Sequence, residues 1–220
     1  MTKHSSQADQ IIGGIRTRLA HDSGAKHVTG EAGYIDDMPE PRGTLHILPV
    51  SGTPAHARIT RLDLDAVRRA PGVRAVLTAA DIPGENDWGH AAVGDDRVLS
   101  DRLVEYSGQI IFAVVAETVA AAREAAGLAV IEYSDQPIIL TVDDAMAAGS
   151  THIPPRTLQR GDAKSAIAGS PHRLTGRFCN GGQEHFYLET QISLAVPKED
   201  GQVHLYCSTQ DPSSVQSLVA

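Results

Sequence analysis

The run "QIIFAVVAE", Gln109 to Glu117, constrains what this chain can fold into more than any other stretch. It is apolar without alternation, so neither face can be left to water, and a strand of this kind needs cover on both sides. "TVAAAREAAGLAVIEYS" follows, an alanine-rich helix with Thr118 as N-cap and then a strand from Leu128 to Tyr133. A strand, a helix and a strand in succession predict an α/β layer. The same run bounds any membrane character: its purely apolar part, Ile110 to Ala116, is far short of the roughly 20 residues a spanning helix needs. The polar opening "MTKHSSQADQIIGGIRTRLAHDS" lacks the apolar core of a signal peptide. A cytoplasmic protein without membrane contact is expected.

The rest of the chain organises around this layer. "TLHILPV", Thr44 to Val50, reads as a strand after the turn-forming "MPEPRG". Asp63 or Asp65 caps a short helix over Ala66 to Ala70, Pro71-Gly72 ends it, and Val73 to Thr78 resumes as a strand. Residues 83–102, rich in Gly, Asp and Asn, form a long surface excursion. After Pro137, Thr141 or Asp143 starts a short helix that Gly149 stops. "THIPPRTLQRGDAKSAIAGSPHR" turns to Pro, Arg and Gly, with one small helix over Ala163 to Ala168 capped by Asp162. From Leu174 onward three segments read as β: "LTGRFC", "HFYLETQISLAV" and "QVHLYCS". The expected organisation is a flexible lead-in over residues 1–19, an α/β domain over 20–150, a linker over 151–173, and a β-rich start of a second domain over 174–220.

Charge and thiol content remove several classes of function. Lys and Arg number 19 against 27 for Asp and Glu, and no basic cluster could track a phosphate backbone, which argues against a nucleic-acid partner. Cys179 and Cys207 are the two cysteines and show no Cys-x-x-Cys spacing, so the chain holds neither a self-contained iron–sulfur cluster nor a four-cysteine zinc site. Two independent reduced thiols are expected. None of the ten histidines stands in a His-Glu-x-x-His arrangement, and His27, His46 and His56 fall near strand or turn signals, as structural groups do. There is no Gly-x-Ser-x-Gly elbow and no P-loop lysine, and Gly13-Gly14 lacks the preceding strand a nucleotide site needs. Adjacent carboxylates Asp36 and Asp37 point to opposite sides of an extended chain, which favours hydrogen bonds to turn backbone over a shared catalytic site.

"NGGQEHFYLETQ", residues 180–191, puts three amides, two acids, a histidine and two aromatic rings into a chain with only 4% Phe, Trp and Tyr. Gly181-Gly182 lets the backbone turn or come close to something bulky. Alternation then sends His185, Tyr187 and Glu189 to one face and Phe186, Leu188 and Thr190 to the other. Spacing alone leaves two readings open, a half-exposed strand and the frame of a site.

"GGQEHFYLE" with "STQ" some twenty residues later resembles the molybdenum hydroxylases, the xanthine dehydrogenase and aldehyde oxidase family, in their molybdopterin-binding subunit. "HDSGAKHVTGEAGYIDDMP", "LHILPVSGTPAHARI", "PGVRAVLTAADIPG", "GQIIFAVVAET", "AVIEYS" and "GDAKSAIAGS" match the order and type of that family's α/β hammerhead domain and the segment after it, so the resemblance covers about residues 20–220. The family pattern usually places a proline where this chain has Ile110.

The resemblance implies a fold class of α/β (α+β) type, an α/β hammerhead domain followed by the β-rich start of a molybdopterin-binding domain. It implies a hydroxylase that inserts a water-derived oxygen at an electron-poor C–H of a purine, with the aldehyde oxidoreductases of the family as the alternative substrate class. Molybdenum would be carried by a pterin dithiolene, with iron–sulfur and FAD centres on partner subunits or domains. Gln210, the glutamine of "STQ", would lie beside the molybdenum centre, where an amide donates without adding charge near an anionic cofactor. The "GGQEHFYLE" strand would frame the cavity. A capping role for Gln210 ahead of Pro212 is the structural alternative. The family's later Gly-rich segment and its distant glutamate base have no counterpart here, and Val215, Leu218 and Val219 begin an apolar stripe that ends uncapped. The expectation is an N-terminal portion of a molybdenum subunit, inactive alone, whose partners include the remainder of that subunit. Two rival classes are a non-catalytic hammerhead assembly module and a cofactor-free hydrolase using His185 and Glu189.

Overall fold

In the computed structural model, which describes residues 20–89, 96–187 and 189–220, the apolar run becomes a strand covered on both faces. The described elements, in chain order, are α1 (Gly24–Thr29), β1 (His46–Ser51), β2 (Ala57–Asp63), α2 (Asp65–Arg68), β3 (Val73–Leu77), β4 (Leu103–Val104), β5 (Ile110–Ala116), α3 (Val119–Ala126), β6 (Val130–Asp135), α4 (Val142–Ala148), α5 (Ala163–Ala168), β7 (Ser193–Pro197), β8 (Val203–Cys207) and α6 (Pro212–Val219). Contacts group them into two units. Residues 41–183 carry β1 to β6 and α2 to α5; the segment up to Glu40 groups with residues 184–220.

In the 41–183 unit, β5 is the centre of a three-stranded antiparallel sheet ordered β1-β5-β3. Ile111 and Ala113 leave one face of β5, and Phe112, Val114 and Ala116 leave the other; all five are buried. α3 packs on β1, β3 and β5, with Ala122 and Ala125 buried beneath it. Alanines allow a close approach, which is why this helix needs no large apolar residue to seal the sheet. β4, β2 and β6 form a second antiparallel sheet, and Val104 of β4 joins Ile111 in one core cluster. The expected strand, helix and strand are present as β5, α3 and β6, and β6 pairs with β2, not within the sheet of β5. Both edges of β5 are already occupied by β1 and β3, and the alternating burial of β6, with Ile131 and Tyr133 turned to the core, suits a half-exposed strand.

Local signals account for most element ends. Thr118 Oγ1 accepts the Ala121 N–H at 3.1 Å, and Thr141, not Asp143, caps α4 by accepting from Asp144 at 3.1 Å. Asp63 takes the Asp65 N–H at 3.1 Å, so α2 begins one residue before the expected Ala66. Gly72 has φ +77°, a value that leaves little room for any residue with a Cβ, and its carbonyl accepts the Glu117 N–H at 2.9 Å. Ile110 does open β5 although proline is usual there; its carbonyl accepts the Ser100 N–H at 2.8 Å. The buried Gln109 closes the turn before it by accepting the Glu105 N–H at 2.8 Å.

Gly52 follows β1 and packs against one residue from each sheet, Ile111 of β5 and Val104 of β4. A methyl there would lie 2.9 Å from a Val104 methyl and 3.3 Å from the Ile111 Cδ1. Both neighbours are fully buried and cannot move aside, so Gly52→Ala should destabilise the chain by about 1–3 kcal/mol through overpacking. A urea midpoint equal to that of the parent chain would show that the contact relaxes at no cost.

Two β expectations fail. Residues 174–179, "LTGRFC", form no strand, and Leu174 and Phe178 stand exposed. Among the described residues of "HFYLETQISLAV" only its last four are strand, as the start of β7. Phe186 has φ +54°, which breaks the extended run and with it the expected alternation from His185; Leu188 lies outside the described residues. Segments become strands only where a neighbour offers a ladder, and no described strand pairs with residues 174–187. Part of the 83–102 excursion, residues 90–95, likewise lies outside the described residues. No helix among the described residues is long and apolar enough to cross a membrane.

Candidate functional site

The site is built on the hairpin of β7 and β8. Asp200 and Gly201 take φ +56° and +74°, turning the chain so that Leu194 faces Tyr206 and Ala195 faces Leu205. Lys198 N–H donates to Gln202 O at 2.8 Å and closes the turn. The ladder ends at the Ser193–Cys207 pair, and the residues that follow form the loop "STQD" leading into α6.

Each polar side chain of that loop except one has a holding role. Ser208 Oγ donates to Thr190 O at 3.0 Å, across to the segment that precedes β7. Thr209 Oγ1 accepts the Asp211 N–H at 3.0 Å. Asp211 is the N-cap of α6, taking the Ser214 N–H at 3.1 Å, with Pro212 as the first helical residue, where its missing N–H costs nothing. Gln210 is the remaining member, and it is exposed. The capping alternative for Gln210 therefore falls: Asp211 caps, and a glutamine one residue earlier is not needed for it.

Glu189, the last residue of "GGQEHFYLE", accepts the Ile35 N–H at 2.8 Å, joining two motifs 154 positions apart. Asp37 accepts the Tyr34 N–H at 3.0 Å, the turn-backbone role expected of the Asp36-Asp37 pair, and Tyr34 hydroxyl and His27 Nδ1 are 3.1 Å apart. A cavity of about 620 Å³ lies among these groups, lined by Tyr34, Ile35, Asp37, Met38, Pro39, Glu189, Leu205, Tyr206, Cys207, Thr209 and Pro212. Its walls are apolar with two carboxylates, and Thr209 carries it to the residue next to Gln210. Sequence reasoning missed the cavity's "GYIDDMP" wall, because nothing in a one-dimensional pattern ties residue 35 to residue 189.

His185 has no part in this arrangement. Its backbone N–H donates to Glu184 Oε1 at 3.1 Å, while Glu189 is held by Ile35, so the hydrolase pair His185–Glu189 is not assembled. Cys179 and Cys207 are free thiols. Among the described residues no group of three His, Cys, Asp or Glu side chains could hold a metal ion. The Gln210 amide is a neutral donor, which suits an anionic cofactor that brings its own metal ligands, and the carboxylates of Glu189 and Asp37 in the cavity wall each accept a backbone N–H.

Residues 29–137 match the family model of the aldehyde oxidase and xanthine dehydrogenase a/b hammerhead domain, and residues 147–220 match that of the molybdopterin cofactor-binding domain. The chain belongs to the xanthine dehydrogenase/aldehyde oxidase family. It is 42% identical over 204 residues to aldehyde oxidase 2 of Cavia porcellus, covering 92% of this chain and 15% of that protein. Xanthine dehydrogenase/oxidase of Gallus gallus is 39% identical over 203 residues, again covering 92% and 15%. The chain thus spans about 15% of the length of these curated relatives. Among solved structures, quinoline 2-oxidoreductase from Pseudomonas putida 86 superposes with a TM-score of 0.74 at 26% identity, covering 93% of this chain and 28% of that one. Aldehyde oxidoreductase from Desulfovibrio gigas gives 0.70 at 26% identity, covering 84% and 23%. The family's two consecutive domain matches meet between residues 137 and 147, close to α4.

Proposed function

We propose that this chain is a portion of the molybdenum subunit of a xanthine dehydrogenase-like hydroxylase, which inserts a water-derived oxygen at an electron-poor C–H of a purine. One observation carries the reading to particular residues: in "STQD", Ser208, Thr209 and Asp211 hold the loop and the head of α6, and Gln210 is left exposed. The molybdenum–pterin group, when bound, supplies the redox chemistry. The chain's part would be a neutral donor, the Gln210 amide, one residue from Thr209 in the wall of the cavity. Iron–sulfur and FAD centres would be carried by partner subunits or domains, and the enzyme would be cytoplasmic. Residues 20–150 would serve as the hammerhead domain, 151–173 as the linker and 174–220 as the start of the cofactor-binding domain.

Aldehyde oxidation is the second reading, because aldehyde oxidase 2 of Cavia porcellus and xanthine dehydrogenase/oxidase of Gallus gallus match this chain to a similar degree, 42% and 39% identity. Turnover of hypoxanthine and of an aromatic aldehyde by the complete enzyme decides between them. A kcat/KM at least tenfold higher for the purine supports the first reading, and the reverse ratio the second. No turnover of either by a molybdenum-replete enzyme would remove both.

Residues 1–220 alone should not retain molybdenum or oxidise hypoxanthine, because the chain spans about 15% of the length of the curated relatives it matches. Metal analysis after gel filtration checks this; stoichiometric molybdenum would contradict it.

A further inference from the structure

We propose that Ser208 is a positioning residue whose hydroxyl holds the loop so that the Gln210 amide points correctly, an inference that rests on the reading of Gln210 given above. The β7–β8 ladder stops at Ser193–Cys207, and Ser208 is the first residue beyond it. Its N–H still reaches Ile192 O, at 3.4 Å, and its hydroxyl donates to Thr190 O at 3.0 Å. These two bonds extend the pairing one step past the last strand residues. The anchoring side is itself restrained, because Glu189, next to Thr190, accepts the Ile35 N–H at 2.8 Å. On the downstream side Thr209 and Asp211 bind the loop to α6.

Gln210 therefore stands between two fixed flanks. Removing the Ser208 hydroxyl leaves the upstream one held only by the long Ser208 N–H to Ile192 O bond, and rotation about the backbone at 208–209 would then turn the amide away from the bound group. Hydrogen bonds weaken steeply with angle, so a small swing at the donor is enough to lose most of its effect. A purely structural serine would act on stability alone. A positioning serine acts on turnover through Gln210, and that coupling is measurable.

The test uses the complete, cofactor-loaded enzyme with Ser208→Ala, Gln210→Ala and the double variant. It reads kcat, KM and deuterium uptake in the peptide spanning residues 203–214. Ser208→Ala is expected to lower kcat about three- to tenfold with KM little changed, the size of one ordinary hydrogen bond, and to speed exchange in that peptide. Ser208→Thr, which keeps the hydroxyl, should restore both. With Gln210 already replaced by alanine, the same Ser208 change should cost less than about twofold. Effects on kcat that multiply, or exchange that does not change, overturn the inference while leaving Gln210 in its role. A Gln210→Ala enzyme with full kcat removes the Gln210 reading and this inference together. Should Ser208→Ala fail to accumulate, Ser208→Thr against Ser208→Val asks the same question at equal side-chain shape, and equal kcat values for the two overturn it.

Discussion

Gln210→Ala in the complete enzyme lowers kcat by about 10- to 1,000-fold, the range for losing one oriented donor worth about 1.4–4 kcal/mol in the transition state. The reasoning is differential. An amide that donates toward the cofactor, where negative charge grows as the substrate is hydroxylated, is worth more at the transition state than in the resting complex. KM should move much less than kcat. Stability should hardly change, because the side chain is exposed and α6 is capped by Asp211. A variant with its molybdenum and melting temperature intact but its turnover lost supports the role. Normal turnover with a melting temperature several degrees lower makes Gln210 structural. Gln183→Ala is the informative companion, since Gln183 is another exposed amide, following Gly181-Gly182 in "GGQEHFYLE". If that change abolishes turnover and Gln210→Ala does not, the donor belongs to the glycine–glycine–glutamine segment.

Phe112→Ala should be the most damaging single truncation in the 41–183 unit, at about 3–5 kcal/mol. Phe112 is fully buried at the centre of β5, between β1 and β3, in a cluster with Leu64, Val67, Val76, Val114 and Ala122. Its neighbours belong to different elements that are each held by their own hydrogen bonds, so they cannot collapse into the space left behind. Against a typical total of about 5–15 kcal/mol, a loss of that size leaves the chain unfolded at modest urea concentrations. Ile47→Ala, on the exposed side of β1 at 63% exposure, is the control and should stay within about 0.5 kcal/mol of the parent. Similar urea midpoints for the two variants would mean that β5 is not the core of this unit.

The sequence was most legible where chemistry is local. Thr118, Thr141, Asp162 and Gly149 mark helix ends by hydrogen bonds and dihedral angles that involve residues three or four positions away, and each is found at its helix end. The family motifs were legible for a different reason: "GGQEHFYLE" and "STQ" carry residue types that a core strand has no use for. What could not be read was pairing. Residues 174–179 and 185–187 read as strand but have no described strand partner, and the positive φ at Phe186 is invisible in a residue that rarely adopts it.

By itself the sequence determined that β5 must be buried on both faces, that helices begin at particular threonines and aspartates, and that its two cysteines could not build an iron–sulfur cluster or a four-cysteine zinc site. Each follows from burial cost, backbone hydrogen bonding or residue inventory, which act within a few positions of the chain. Only the tertiary structure decided that β6 leaves the sheet of β5, because both edges of β5 were already taken by β1 and β3. It alone brought Ile35 to Glu189 and Ser208 to Thr190, and so left Gln210 as the uncommitted side chain of its loop. Contacts of that kind depend on which long-range partner closes first on a limited set of strand edges and carbonyls, a competition that no local pattern encodes.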